Sequence, residues 1–494
     1  MQAEQRLRVR KRSYAFVFLF FTTLLVLAHG PLLKTPYYWD EIGQFVPASL
    51  DLFETGAWIP YSTLPNVHPP LVMAFLAGFW KLFGLSVIGT RIAMLCLAAV
   101  AALSTFLLAI ELSRGIAGAP AFTAAILLCV SPLFFSQSMM VLLDMPAMAF
   151  TTVALLLFLQ DEIRLAAAAC VVLVLVKETG IVVPAVFGLW LIKEHRLRDA
   201  AWFLLPLPAL GGWLIALHQA TGHWAGNAEF AQYNVWYPLH PVRLLLALVR
   251  RVYYLLLSTG HVIGTAAVIY AWRRIPQFHS RNWRVALTLA AAHTVAVCLL
   301  GGAVLERYLL PVMPILYSAF ALAFAGLAKK WRIGALCALT ACLVTANIVN
   351  PVYPFPMENN LAWTAFAGLE QKVARVIDLV PRARLATAFP FVDALRRREF
   401  GYVQLPHKAI PVASFRPSDL RKMQQTEAPQ LLVTFTQTWD PLHLLGTSPL
   451  GRFLTQYYGY EPEATEKDIY VVLGMKPVKV WKDRGLEFKM YLKE

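Results

Sequence analysis

Long apolar runs dominate this chain and restrict what it can fold into. About 20 consecutive apolar residues suffice to cross a bilayer as a helix. Such runs recur from residue 14 to residue 350, and 58% of the 494 residues are hydrophobic while only 15% are charged. A soluble domain rarely has this composition. The sequence therefore predicts a polytopic α-helical membrane protein.

The basic residues favour one topology for these runs. Five of them precede the first apolar run at 14–33, which indicates an anchor with a cytoplasmic N-terminus. The alternative is a secretory signal cleaved near Ala28-His29-Gly30. The remaining spans are predicted near 91–112, 119–136, 145–160, 165–177, 180–193, 200–218, 252–272, 284–304, 307–328 and 333–350.

With these eleven spans, every turn predicted to be cytoplasmic carries lysine or arginine, which is the positive-inside pattern. The C-terminus is then outside. The net charge of +15 is explained by these turns, so no nucleic-acid partner is expected. The turns contain Arg114; Arg164; Lys193, Arg196 and Arg198; Arg273, Arg274, Arg281 and Arg284; and Lys329, Lys330 and Arg332.

The external loop at 34–90 contains a short apolar run at 70–83. It has about two thirds of the length of a full span, and crossing would move every later basic turn outside. We therefore expect an interfacial or re-entrant helix there. A second interfacial helix is predicted before it, because Val46, Leu50, Phe53 and Ala57 recur at helical spacing.

Residues 351–494 differ in character. Proline, polar residues and β-rich runs at 384–389, 430–436 and 468–475 alternate with helical patterns at 361–379 and 417–425. This predicts a separate extracytoplasmic α/β domain following a membrane domain at 1–350. All six cysteines fall in the apolar segments, so neither a disulfide framework nor a zinc site is indicated.

Ionisable residues away from the cytoplasmic turns collect on the predicted external side. Placing a charge in lipid costs a few kcal/mol, about 2.5–3.5 at mid-bilayer, so such residues usually face a cavity or each other. Their common side predicts a shared external cavity. The candidates are Asp40, Glu41, His68, Arg91, Asp144, Lys177, Glu178, Glu306, Arg307 and Tyr308.

Each candidate also has a simple structural explanation. Asp40 and Glu41 can be a solvated loop pair or cap a helix, and Asp144 can cap the helix that begins at Met145-Pro146. Lys177 and Glu178 can pair with each other, and Arg307 can snorkel to lipid headgroups. His261 and His293, within predicted spans, are expected to be hydrogen-bonded packing residues.

Several enzyme and pump classes lack support. The chain has no P-loop, no Rossmann glycine fingerprint, and no HExxH or CxxC motif. An ATP-driven pump and a soluble-type nucleotide-sugar enzyme are therefore not indicated.

Five short motifs, in order, resemble the GT-C glycosyltransferases over roughly the first 350 residues. The similar families are the protein O-mannosyltransferases and the bacterial transferases that add aminoarabinose to lipid A. Val72-Met73 stands where the mannosyltransferases carry Gly-Lys, which disfavours protein O-mannosylation. The motifs are Trp39-Asp40-Glu41, Val67-His68-Pro69-Pro70-Leu71, Leu143-Asp144, Val176-Lys177-Glu178-Thr179-Gly180 and Arg307-Tyr308-Leu309-Leu310-Pro311.

The resemblance implies transfer of a hexose or pentose from a polyprenyl-phosphate donor, such as an undecaprenyl phosphate sugar, to a lipid or glycan acceptor of the cell envelope. Asp40 would be the general base and Glu41 would orient it or bind substrate. Lys177 and Arg307 would stabilise the leaving phosphate in an inverting reaction. Some relatives use a divalent metal, but here Val67 rather than an acid precedes His68.

Two other function classes stay open at the level of sequence. A lipid or glycolipid flippase would use the same cavity without chemistry. A receptor or assembly module would use the outer domain, with a passive membrane part.

Overall fold

The computed structural model describes residues 2–116, 120–380, 383–440, 444–446 and 448–493, with side chains from residue 14 onward. Contacts divide the chain into two compact units. The membrane unit comprises Met1–Pro31, Ala48–Gly84 and Thr90–Asn347. The second unit, called the C-terminal unit below, comprises Ile348–Glu494 together with two earlier segments, Leu32–Pro47 and Leu85–Gly89.

The membrane unit is built from helices. Pro132, Pro206, Pro241 and Pro314 lie in first turns, where a missing backbone N–H leaves no intrahelical bond unmade. The helices are α1 (Gln2–His29), α2 (Val46–Thr55), α3 (Leu71–Phe83), α4 (Val87–Leu112), α5 (Ala121–Val130), α6 (Pro132–Gln137), α7 (Asp144–Leu159), α8 (Ile163–Val176), α9 (Val182–Lys193), α10 (Leu197–Ala200), α11 (Pro206–Thr221), α12 (Ala228–Ala231), α13 (Pro241–Leu256), α14 (His261–Ala271), α15 (Arg281–Leu299), α16 (Met313–Ala325) and α17 (Lys329–Ala346).

Among the described residues, six helical segments are long and apolar enough to cross a membrane: Tyr14–Leu32, Val87–Leu112, Leu197–Thr221, Pro241–Ala271, Arg281–Leu299 and Glu306–Ala325. Four shorter apolar helices accompany them, including Leu71–Phe83 and Ile163–Val176. The protein is thus a polytopic helical membrane protein, and the eleven-span topology stays a prediction.

The predicted span at 252–272 differs from the structure. The helix begins earlier in the chain, at Pro241. It is interrupted at Thr259, whose φ of 53° is not helical. Gly260 follows with φ 87°, and a Cβ there would lie 2.4 Å from the Cβ of Cys342. The close packing at this kink explains why position 260 is a glycine. The periodicity of the sequence did not indicate the kink.

Two histidines inside the membrane helices are hydrogen-bonded to neighbours, as predicted. His261 in α14 contacts the Tyr254 carbonyl at 2.9 Å and the Tyr317 hydroxyl at 2.9 Å. His293 in α15 contacts the Tyr308 carbonyl at 2.8 Å. These bonds satisfy groups that would otherwise be costly to bury.

The C-terminal unit contains a mixed five-stranded sheet in the order β2-β1-β3-β5-β4. Strand β1 is parallel to β2 and β3, whereas β5 is antiparallel to both β3 and β4. The elements are α18 (Ala362–Ile377), β1 (Leu385–Ala388), α19 (Phe391–Ala394), β2 (Ile410–Val412), α20 (Pro417–Thr426), β3 (Leu431–Phe435), α21 (Pro449–Tyr458), α22 (Glu466–Leu473), β4 (Met475–Asp483) and β5 (Leu486–Lys493).

One β-rich prediction in this unit is wrong. Most of the run at 468–475 is helical, in α22, and β4 begins only at Met475. Thr465 and Asp468 form a reciprocal capping box that starts the helix. Gly474, with φ 64°, ends it. Local capping therefore overrides the β propensity of the Ile-Tyr-Val-Val run.

Phenylalanine side chains join helix and sheet in this unit. Phe366 of α18 packs edge-on against Phe435 of β3 and Phe488 of β5, with ring centroids 5.5 and 5.0 Å apart. Burial of such rings supplies most of the packing energy of a small core. Helix α18 is thereby fixed on the sheet.

Candidate active site

Three candidate residues of the membrane unit form a buried ion cluster. Asp144 accepts a hydrogen bond from Lys177 Nζ at 2.5 Å, and its other oxygen lies 3.4 Å from Arg307 Nε. All three side chains are less than 10% exposed. Two cations thus lie against one carboxylate, and buried charges of this kind need partners or a ligand.

Each member of the cluster lies where a helix begins or ends. Asp144 is the first residue of α7, Lys177 follows the last residue of α8, and Arg307 lies in a 3-10 segment, Glu306–Val312, ahead of α16. Lys177 is extended, with φ −152°, which terminates α8. The helix breaks thus bring charged side chains together inside an apolar bundle.

His68 and Glu178 form a second pair beside this cluster. His68 Nδ1 lies 2.8 Å from Glu178 Oε2. Burial by itself would raise the pKa of Glu178, but His68 and Lys177 hold it below its usual value. Asp144 in turn interacts electrostatically with His68. The two pairs therefore form one connected network.

An aromatic ring covers the cations. The Tyr308 ring centroid is 4.4 Å from Lys177 Nζ and 5.7 Å from Arg307 Cζ. Cation–π contacts of this kind are worth about 0.5–2 kcal/mol, more when desolvated. Tyr308 was predicted as a site residue, and the structure places it over both cations.

Two further candidates contact other groups. Glu306 pairs with Arg250 of α13, Nε to Oε1 being 2.7 Å. Arg91 of α4 is buried and donates to the Met139 carbonyl at 3.0 Å, within the turn that leads to Asp144. Sequence reasoning missed Arg250, because its partner lies 56 positions away in the chain.

The loop that carries His68 is held by residues that the sequence did not single out. Trp213 Nε1 donates to the Val67 carbonyl at 2.9 Å, and Asn227 Nδ2 donates to the Pro65 carbonyl at 2.7 Å. Phe230 packs edge-on against the His68 ring at 5.5 Å. Gly226 has φ 82°, and a Cβ there would lie 2.6 Å from the Pro65 carbonyl oxygen.

The first-loop acids belong to the C-terminal unit. Asp40 precedes a π-helical turn, Glu41–Phe45, and its side chain does not cap that turn. Glu41 is fully buried, and its Oε2 accepts from the Tyr38 backbone N–H at 2.8 Å. Glu41 therefore fixes the backbone next to Asp40.

The residue before Asp40 has an unusual backbone. Trp39 has φ 51°, in the left-handed region that bulky residues rarely occupy. Its ring packs against Phe389 at 5.6 Å and Phe366 at 6.3 Å, both in the same unit. Strained conformations persist where the surroundings enforce them, and they concentrate at functional sites.

The alternative structural explanations fit the geometry less well for several candidates. Asp40 does not cap its turn, and Lys177 pairs with Asp144 while Glu178 pairs with His68. Arg307 is only 4% exposed and lies against Asp144, so it does not snorkel to the surface.

Within the described ranges, no three His, Cys, Asp or Glu side chains come together in a way that could hold a metal ion. Glu178 is a carboxylate that pairs with His68. The described residues therefore contain no donor set that fits a metal centre.

Comparison with known proteins gives a fold match without a sequence match. No family model and no curated protein sequence matches the chain. Two crystal structures of ArnT from Cupriavidus metallidurans match 97% of this chain and 98% of theirs, with TM-score 0.56. Their identities to this chain are 15% for the complex with undecaprenyl phosphate and 16% for the apo state.

The chain shares its overall fold with ArnT from Cupriavidus metallidurans. The predicted resemblance to the aminoarabinose transferases is confirmed at the level of fold. The match extends through the C-terminal unit, for which the sequence suggested no relative.

Proposed function

We propose that this protein is a glycosyltransferase that moves a sugar from a polyprenyl-phosphate donor to a lipid or glycan acceptor of the cell envelope. The observation that carries this is the buried cluster of Asp144, Lys177 and Arg307, which brings a lysine and an arginine together. It occurs in the fold of a protein that has been solved with undecaprenyl phosphate. A buried lysine and arginine side by side suit a phosphate group.

The proposed reaction is a single displacement. The acceptor hydroxyl attacks the anomeric carbon, the bond from that carbon to the phosphate oxygen breaks, and the hydroxyl proton passes to Asp40. Configuration at the anomeric carbon inverts. Lys177 and Arg307 stabilise the charge that develops on the leaving phosphate, an effect that is often the largest in catalysis.

The other candidates have supporting roles in this proposal. Glu41 fixes the Asp40 backbone, and His68 with Glu178 forms a polar wall that binds donor or acceptor hydroxyls. Tyr308, Glu306 and Arg91 hold the cationic cluster in place. The proposed location is the bacterial inner membrane, with reaction on the external face. The positive-inside pattern of the basic turns supports a cytoplasmic N-terminus.

Mass spectrometry of envelope lipids and glycans tests the proposal. Cells with wild type, a deletion, Asp40→Asn and the control Asp161→Asn are compared at equal protein levels. Asp161 is an exposed aspartate in a surface ion pair, so its variant controls for the loss of a carboxylate. A sugar-sized mass absent in both the deletion and Asp40→Asn is expected. A product that persists with Asp40→Asn contradicts the proposed base and favours the flippase.

A further inference from the structure

A buried arginine of the membrane unit has no carboxylate partner. Arg251 lies in α13 and is only 2% exposed. Its Nη2 atom donates to the Val297 carbonyl at 2.7 Å, but its Nε and Nη1 atoms have no hydrogen-bond partner among the described residues. Arginine stays charged in proteins, so a buried guanidinium that lacks an anion is costly.

Glu306 does not supply the missing anion. It interacts electrostatically with Arg251, but its carboxylate is bonded to Arg250, the preceding residue of α13. In the part of the chain that the structure describes, no ion pair involves Arg251. An ionisable group that lies inside a membrane bundle without a protein partner indicates a functional site.

The bond to Val297 has a structural explanation, but it does not explain the charge. Helix α15 ends at Leu299, and the Gly301 N–H, which would continue the helix to the Val297 carbonyl, donates instead to the Asn234 carbonyl at 2.8 Å. Arg251 therefore caps the C-terminal end of α15. A neutral donor could do the same, so the charge and the remaining two nitrogen atoms are left without a role.

A salt bridge joins α13 to the segment that carries Arg307. Arg250 Nε lies 2.7 Å from Glu306 Oε1, and Glu306 immediately precedes Arg307. Arg307 in turn lies 3.4 Å from the Asp144 carboxylate. Arg251 follows Arg250 in α13, so it is separated from the ion cluster by a single ion pair.

A second connection to the cluster runs through α15. Val297, whose carbonyl accepts from Arg251, lies one helical turn after His293. His293 Nε2 donates to the Tyr308 carbonyl at 2.8 Å, and the Tyr308 ring covers Lys177. Both connections place Arg251 beside the elements that carry the cluster.

We propose that Arg251 is a further phosphate-binding residue of this protein. With the polyprenyl-phosphate donor bound, its Nε and Nη1 atoms donate to oxygens of the phosphate group. The phosphate then supplies the anion that the buried guanidinium lacks, and the guanidinium matches the geometry of phosphate oxygens. The inference rests on the proposed function, because it assigns a contact to the donor of that reaction.

Binding of three probes to the purified full chain tests this inference. The protein is kept in dodecyl maltoside, whose headgroup carries no phosphate. The probes are undecaprenyl phosphate, undecaprenol and phosphatidic acid, and affinities are obtained from the rise of the melting temperature with probe concentration. For wild type we expect undecaprenyl phosphate to bind more tightly than the other two.

Arg251→Met removes the charge and keeps a long side chain. We expect undecaprenyl phosphate to bind about tenfold to a hundredfold more weakly, because hydrogen bonds to a charged group are lost. The affinity for undecaprenol should not change. Without a probe, the variant should be at least as stable as wild type, since an uncompensated buried charge has been removed.

Two further variants serve as matched comparisons. Arg251→Lys keeps the charge and a donor for the Val297 carbonyl but lacks the planar fork, so its affinity should lie between those of wild type and Arg251→Met. Arg274 is exposed, and its Nη1 atom donates to the Tyr270 carbonyl at 2.7 Å. Arg274→Met therefore controls for the loss of an arginine–carbonyl bond and should bind undecaprenyl phosphate as wild type does.

Three results would overturn the inference. The first is unchanged affinity of Arg251→Met for undecaprenyl phosphate; a lower melting temperature of this variant without a probe would then leave Arg251 only as the cap of α15. The second is an equal loss of undecaprenol affinity. The third is phosphatidic acid that binds as tightly as undecaprenyl phosphate with the same dependence on Arg251, which would assign the residue to bilayer headgroups.

The same measurements separate this failure from that of the proposed function. Wild type that binds undecaprenyl phosphate no better than undecaprenol contradicts the proposed donor, and with it the whole function. Tight binding to wild type that Arg251→Met leaves unchanged rejects only the role of Arg251.

Discussion

The ion cluster of the membrane unit and the first loop of the C-terminal unit hold acidic groups in opposite ways. Asp144 is stabilised by two cations, so its charge is part of the packing. Asp40 follows a strained Trp39 that aromatic rings enclose, and a buried Glu41 ties its backbone down. In the ion cluster, charged side chains hold one another in place. In the first loop, the backbone is held in place and the Asp40 side chain makes no capping hydrogen bond.

This difference suits two chemical tasks. An ion cluster that contains a lysine and an arginine can accept a phosphate without rearranging, because its cations are already desolvated and oriented. A base must be held at the proton that it accepts, so a fixed backbone around it serves that task. The comparison predicts that variants in the two regions fail in different ways.

The largest effect is expected from Asp40→Asn, which keeps the shape of the side chain but cannot accept a proton. General-base catalysis contributes about 10²–10⁴-fold, and we expect a loss of activity in that range with no change in thermal stability. Product formation per folded protein and a melting curve check this. A clear loss of thermal stability in Asp40→Asn would show that Asp40 supports the fold, as Asp144 does, and would contradict the difference between the two regions.

Lys177→Met should lower both stability and activity. Removing one partner of a buried ion pair costs about 3–5 kcal/mol, because the remaining charge stays buried. The double variant Asp144→Asn with Lys177→Met should be no more stable than Lys177→Met and should stay inactive, because Arg307 then loses the Asp144 carboxylate as well. A double variant that regains activity would show that the cluster only supports the fold.

Gly226→Ala should displace the His68 loop. The new Cβ would meet the Pro65 carbonyl oxygen at 2.6 Å, and the glycine has φ 82°. Crowding and backbone strain together should cost about 1–3 kcal/mol. Gly222→Ala is the control, because its φ of 74° imposes similar strain while nothing lies within 4 Å. Equal melting temperatures and activities for the two variants would contradict the proposed support of His68.

Much of this arrangement follows from the sequence, for a physical reason. Apolar runs and basic turns in the sequence predict where the helices lie. Charged residues at the ends of those runs, such as Asp144, Lys177 and Arg307, lie together because a helical bundle tolerates charges at helix breaks. The sequence could not show which charges pair, because Lys177 bonds Asp144 from 33 positions away rather than its neighbour Glu178.

Other features depended on contacts that a single sequence does not encode visibly. Tyr402 reaches Tyr37 across 365 positions, and nothing in the local sequence pattern marks this contact. The run at 468–475 was assigned by its β propensity, whereas the capping box at Thr465 decided its structure. The inclusion of residues 32–47 in the C-terminal unit is likewise a tertiary property.

A smaller effect is expected from Glu178→Gln, and it depends on pH. The pKa of Glu178 is lowered in the folded protein. Its pairing with His68 therefore contributes to stability at pH values above the ordinary glutamate pKa of 4.5. This contribution is lost as the pH falls through the lower pKa of the folded state. Wild type should therefore lose stability on acidification more steeply than the variant. Parallel melting temperatures from pH 7 to pH 3 would argue against an ionised pair.

The smallest effect is expected from Arg196→Ala. Arg196 pairs with Asp161 and Asp199 at 2.6 and 2.7 Å, but all three side chains are about one third exposed or more. Exposed ion pairs contribute about 0–1 kcal/mol. Activity equal to wild type gives the baseline for the other variants. A loss of activity and stability comparable to that of Lys177→Met would mean that burial does not determine how much an ion pair contributes.

The most direct test of the central claim is the release of polyprenyl phosphate by the purified protein. Full-length protein in proteoliposomes is supplied with the polyprenyl-phosphate-linked sugars extracted from its own host's envelope, together with the envelope lipids. Wild type should release polyprenyl phosphate in step with the gain of a sugar by an acceptor, and Asp40→Asn should release none. Movement of intact lipid-linked sugar across the bilayer, without phosphate release, would contradict the account.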